Sequence, residues 1–171
     1  MYTAEQLNSE LHRLGIIFLA GDHPTGFSEP ISPAELIAGL ATQSDARMRS
    51  AIIALFLQCP DFDRHVPGAL KILSAPHRNT LCLYYTAAYY LQLTYWDDLR
   101  RILGQYQQLP DYFSAELAIF PSDATSEAAL RQLANRHQEI TGLAINWYGT
   151  YHHVAQRVIS RLEKELEWSR G

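Results

Sequence analysis

Residues 79–96 constrain this chain more than any other stretch: eighteen positions pass without an Asp, Glu, Lys or Arg. A run that long and uncharged has the length of a membrane span. Its five tyrosines, three threonines, one glutamine and one asparagine make it too polar for that role. It reads instead as a helix buried on all sides, with tyrosine hydroxyls reaching hydrogen-bond partners at the edge of a core. Asp97-Asp98 and Arg100-Arg101 mark its return to water, so one helix is expected through the middle of the molecule, over about 78–104.

The rest of the chain supplies helices to surround it. Residues 3–15 carry Leu7, Leu11 and Leu14 at helical spacing, with Gly15 as a stop. The run 16–20 reads as an extended segment packed on the core, and 21–30, with two Gly and two Pro, as a loop. Ser32, Pro33 and Glu35 form a helix start with a capping box. A second start at Ser44 or Asp45 leads to a helix with Met48, Ile52, Leu55 and Phe56 on one face, stopped by Pro60. A third piece opens at Asp61, is interrupted at Pro67-Gly68 and runs to about Leu73. A short helix is expected at 111–117, an amphipathic helix at 127–140 stopped by Thr141-Gly142, and a last helix from Asn146 or Thr150 to about Trp168. No second strand partners the 16–20 run. The expected fold is therefore all-α, a single domain over 1–171 with about six to eight helices, as a bundle or a short array of helix hairpins.

Composition narrows function more than it names it. The chain has 171 residues, of which 47% are hydrophobic, 11% aromatic and 19% charged, with a net charge of −4. That balance argues against gripping nucleic acid through bulk charge. The first residues, MYTAEQLNSELHRL, lack a basic start before an apolar run, and Cys59 and Cys82 match no disulfide framework or CxxC pattern. The expectation is a cytoplasmic, reduced protein with no membrane association.

Two stretches overlay at a shift of thirty-three residues: Ile37 on Leu70, Leu40 on Leu73, Met48 on Leu81, Ile52 on Tyr85 and Phe56 on Tyr89. Each is a short helix, a turn and a longer helix. The segment 45–55, with Asp45, Arg49 and Ala51 at the family's usual Asp, Arg and Ala positions, resembles the second helix of a HEAT-type repeat. The resemblance covers about residues 32–95. The second copy has Arg78 in place of Asp45 and Cys82 in place of Arg49. The resemblance implies a scaffold or binding surface.

Chemistry-bearing clusters are few. NWYGTYHH over 146–153 gathers Tyr148, His152 and His153 at a helix start, where Tyr148 and His152 share a face. It reads as core aromatics beside one surface histidine, or as an acid/base patch. Arg131, Gln132 and His137 resemble the Arg–polar–His motif of HEPN ribonucleases, with Gln132 where that family has Asn. The resemblance implies metal-free RNA cleavage by Arg131 and His137, to which His152 is added as a candidate. His12, His23, His65 and His77 are scattered, no HExxH occurs, and the glycines form no phosphate-binding loop. No metal or cofactor is expected. Arg157 and Arg161, one helical turn apart, are suited to an acidic partner or a phosphate chain if they come together with Arg47 and Arg49.

The function expected first is a non-enzymatic interaction module whose partner is another protein or a second copy of itself. Its candidate anchors are Tyr2, Phe27, Tyr112, Phe113, Phe120 and Trp168, aromatics placed in loops or near helix ends. A HEPN-like nuclease or toxin–antitoxin member is the alternative. A third reading is a small-ligand sensor with Tyr85, Tyr89 and Trp96 lining a pocket.

Overall fold

The computed structural model describes residues 1–18 and 29–171. The described part is all-α: eight helices and one 3₁₀ turn, with no strand. Phe27, His23 and all but the last two residues of the 21–30 loop lie outside the described residues.

Local sequence sets most boundaries. Thr3 and Gln6 cap α1 (Ala4–Arg13) reciprocally, at 2.9 and 3.2 Å. Ser32 caps α2 (Pro33–Ala41) with a proline in its first turn, and Asp45 caps α3 (Ala46–Gln58) through the Arg47 amide at 2.9 Å. The 3₁₀ turn Pro60–His65 runs straight into α4 (Val66–Ile72). The expected interruption at Pro67-Gly68 is thus a helix start. Proline is harmless in a first turn, where the missing N–H has no intrahelical partner. The long uncharged helix is α5 (Ala75–Thr94), and α6 (Trp96–Leu103) follows after a bend at Tyr95, φ −106° and ψ 22°. One helix over 78–104 was the expectation. The bend lays α6 on the last helix, where Leu99 is buried and Arg101 meets Glu163 at 2.7 Å. Helix α7 (Ser126–Thr141) ends at Gly142, whose φ of +70° is the left-handed conformation glycine tolerates best. Helix α8 (Trp147–Arg170) starts at Asn146, which accepts from the Gly149 amide at 3.0 Å.

The expected helix at 111–117 is absent. Those residues form turns closed by Leu117 N–H to Phe113 O at 2.9 Å and Ile119 N–H to Ser114 O at 2.8 Å, with Ala118 at φ +57°. The whole segment 105–120 is a strap laid over α5 and tied down by its polar side chains. Gln92, fully buried, donates to Gln107 O at 2.8 Å and accepts from the Leu109 amide at 2.7 Å. Tyr85 donates to Pro110 O at 2.8 Å, and Tyr90 shares a 2.7 Å hydrogen bond with Ser114. Tyr85, Tyr90 and Gln92 of this uncharged helix are therefore cross-links to a neighbour that has no hydrogen-bonding ladder of its own.

Residues 81–88 of α5 are all buried. Helices α3 and α7 make the two most extensive contacts with α5, and α2 lies on α4 as α3 lies on α5. Phe56 meets Tyr85 edge-on at 4.8 Å. Helix α1 approaches α2 so closely that a Cβ on Gly39 would lie 2.7 Å from a Leu7 methyl. Residues 16–18 have no regular structure; Ile16 and Phe18 point into the core and Ile17 outward. Arg157 donates to Phe18 O at 3.1 Å and Arg161 to Gly15 O at 3.2 Å, which ties this segment to α8. Both cysteines are free, and burial pushes their thiols up to about 11 for Cys59 and about 12 for Cys82, so neither is a ready thiolate. No described helix is long and apolar enough to cross a membrane.

Candidate functional site

Three places gather polar side chains. The first is a junction of α5, α7 and α8. Glu127 and Arg131 lie one turn apart on α7, and Tyr148 and His152 one turn apart on α8. Tyr148 donates to the Glu127 carboxylate, and the Arg131 guanidinium lies 4.2 Å over the Tyr148 ring. His152 Nδ1 pairs with the Tyr95 hydroxyl at 2.8 Å, and its Nε2, closed to solvent, faces Glu127 at 3.3 Å. Thr94 donates to Ser126 at 2.8 Å beside it. One ring nitrogen of His152 is thus hydrogen-bonded and the other closed to solvent, so both are engaged within the protein. The junction ties three helices together at the α5–α6 bend. Sequence spacing placed Tyr148 and His152 on one face; Glu127 and Tyr95 carried no signal that would have joined them.

His137 lies elsewhere. It is 2% exposed, stacked on Trp147 at 3.6 Å between ring centroids, edge-on to Tyr84, and its Nδ1 is 2.6 Å from the Tyr151 hydroxyl. Burial, reinforced by the charge of Arg49, pushes its pKa down to about 3. Arg131 and His152 thus meet around Tyr148, while His137 faces the core from another side of α7 and is neutral at ordinary pH.

The second place is a cavity of about 410 Å³ between the α2–α3 turn, the first turns of α5, the end of α7 and the start of α8. Arg49, Thr80, Tyr84, His137 and Trp147 are in its wall. Helix α5 does contribute a cavity wall, but through Thr80, Leu83 and Tyr84. Tyr85 packs among Phe56, Tyr112 and Phe113, Tyr89 against Tyr90, and Trp96 against Tyr106.

The third is the outer face of α8. His153, Arg157, Arg161, Lys164 and Trp168 recur at steps of three and four, which sets them on one side of the helix. The first four border a groove of about 510 Å³ together with Ile17, Phe18 and Gln58. Glu165 pairs with Arg161 at the edge of this face. Arg157 lies 4.9 Å over the Phe18 ring.

The aromatic anchor candidates divide. Trp168 is 78% exposed and Phe120 67%. The Phe120 backbone is held at both ends by the Gln132 amide, at 2.8 and 3.2 Å, so its ring projects from a fixed point. Tyr112, 42% exposed, stacks on Tyr85 and donates to Asp63 at 3.0 Å. Tyr2 is half-buried. Phe113 is buried against Tyr85, because the strap that replaces the expected helix turns this side chain inward. Among the described residues no group of three His, Cys, Asp or Glu is placed to hold a metal ion. Comparison with family models, with curated proteins and with solved structures finds no match for this chain.

Proposed function

We propose that the protein is a non-enzymatic interaction module whose α8 outer face docks an acidic segment of another protein. One observation carries the reading: three cations and a largely exposed tryptophan, Arg157, Arg161, Lys164 and Trp168, follow one side of α8, and the cations border the larger of the two cavities described. Tryptophan and arginine are the residues most enriched among binding hot spots, and two of the cations are pre-ordered by their bonds to residues 15 and 18. A local basic face favours an acidic partner and disfavours self-association in which the same face would meet its own copy. The sealing of His152 and the neutral, buried state of His137 favour binding over RNA cleavage. The stacking of the α2–α3 hairpin on the α4–α5 segment supports reading residues 32–95 as HEAT-like, a scaffold for the α8 face.

A photoactivatable phenylalanine analogue at position 168, tested in the native host, decides the matter. The expected result is one dominant cross-linked protein, lost when Arg161→Glu and Lys164→Glu are combined. A product of twice the chain's mass would make the partner a second copy. Equal cross-linking from exposed position 71, or no loss on charge reversal, overturns the reading.

A further inference from the structure

The groove beside α8 has an apolar side as well as a basic one. Residues 16–18 run along it without regular structure, and their side chains part by turns. Ile16 and Phe18 are buried, while Ile17 is 45% exposed and borders the groove. Phe18 and Val158, both buried, also border it, so the groove rests on the core. A single exposed isoleucine is ordinary. This one is held in register with cations: Arg161 donates to Gly15 O and Arg157 to Phe18 O, so the guanidiniums of the basic rim fix the backbone on both sides of Ile17.

Those bonds leave the cations free to do more. Arg157 and Arg161 each use only Nη2, Arg157 on Phe18 O and Arg161 on Gly15 O and Glu165. A guanidinium carries five N–H donors, so both keep donors for an incoming carboxylate. Lys164, on the next turn, has no ion-pair partner among the described residues. Among the described residues no Asp or Glu borders the groove itself. A phosphate chain would satisfy these cations but lay a charged backbone against Ile17. A purely apolar segment would cover Ile17 but take water from three cations with nothing in exchange. A large apolar side chain between carboxylates meets both.

We propose that the α8 face selects its partner by an acidic segment with one large apolar side chain between carboxylates, the apolar group seated on Ile17 and the carboxylates on Arg157, Arg161 and Lys164. The inference rests on the reading of α8 as the docking face for an acidic protein segment, and adds what distinguishes one such segment from another. Arg157 to Lys164 spans two helical turns, about 10 Å, which is the reach of about three extended residues. One apolar residue with acids on either side therefore covers the seat. The groove, at about 510 Å³, lies in the size range of sites that enclose small organic groups.

NMR titration of the intact protein, followed at the Ile17 and Lys164 amides, tests this with two peptides of equal charge. In one, a leucine stands between two pairs of glutamates; in its twin, an alanine replaces the leucine. The leucine peptide is expected to bind at least about fivefold more tightly. Ile17→Ser, a change at an exposed side chain, should erase that preference and leave the alanine twin's affinity as it was. Combined Arg161→Glu and Lys164→Glu should abolish binding of both. Equal binding of the two peptides, lost on charge reversal, overturns the apolar seat and leaves the acidic docking face standing. A leucine preference that survives Ile17→Ser places the seat elsewhere and has the same consequence. No saturable binding of either peptide at about 10 mM, or binding that survives charge reversal, overturns both. Tighter binding of an oligothymidylate with the same number of charges would make the groove a nucleic-acid site and also overturns both.

Discussion

Tyr84 and Tyr151 are two buried tyrosines that both meet His137. Tyr84 meets the ring edge-on, whereas the Tyr151 hydroxyl is paired with its Nδ1 at 2.6 Å. Tyr151→Phe should therefore cost about 1–3 kcal/mol by stranding His137, as read by urea denaturation. His137 itself makes the fold pH-sensitive. Its folded pKa is held at about 3, whereas the unfolded chain titrates near the ordinary value of 6.5. Between those values the unfolded state binds the extra proton, so stability is full above about pH 6.5 and falls with acidification toward about pH 3, at up to about 1.4 kcal/mol per pH unit. Denaturation at about pH 7 and about pH 5 should show this slope, and His137→Gln should flatten it. That the tyrosines of residues 79–96 are buried or half-buried could be read from the missing charges around them. Which hydroxyl finds a partner could not, because the partners stand 24, 25 and 57 positions away.

Helix starts and stops were the most legible elements, because capping is decided by neighbours within four residues. Ser32, Asp45, Gly142 and Asn146 all stand where their side chains or backbone freedom suggested. Two regions that differ from expectation share a cause. The bend at Tyr95 depends on where α8 lies, and the strap at 105–120 depends on α5, so neither is determined by its own residues. Gln92 is the keystone of the strap. Gln92→Leu keeps the volume but leaves the buried Leu109 N–H without its acceptor and frees the Gln107 C=O. The expected cost is about 2–3 kcal/mol, with faster amide hydrogen exchange at Leu109 and new protease cleavage within 105–120. If exchange at Leu109 stays as slow as in the parent, the strap is held by its tyrosines alone.

At the scale of the molecule, the all-α class followed from periodicity and from the lack of a strand partner, and it is what the described residues adopt. The sites were less legible. The α8 face is written within one helix, so its spacing was visible as the Arg157–Arg161 step. The cavity draws on four parts of the chain, from Arg49 to Trp147, and only the tertiary arrangement joins them. Long-range ion pairing contributes little to that arrangement. Arg101 joins α6 to Glu163 on α8 at 2.7 Å, but both side chains are about half exposed, 54% and 42%. A double-mutant cycle on the pair should return a weak coupling that shrinks further in high salt. A coupling that persists undiminished in high salt would mean that the α6–α8 contact is electrostatically tighter than its exposure allows.

The grip of Arg157 and Arg161 on residues 15 and 18 spans 139 and 146 positions of chain. During translation, the tail of α1 therefore waits unlatched until residue 157 has left the ribosome, with the Phe18 ring lacking the guanidinium that later covers it. A nascent chain halted anywhere earlier exposes that corner, which gives a chaperone or a protease a simple mark by which to recognise the unfinished molecule.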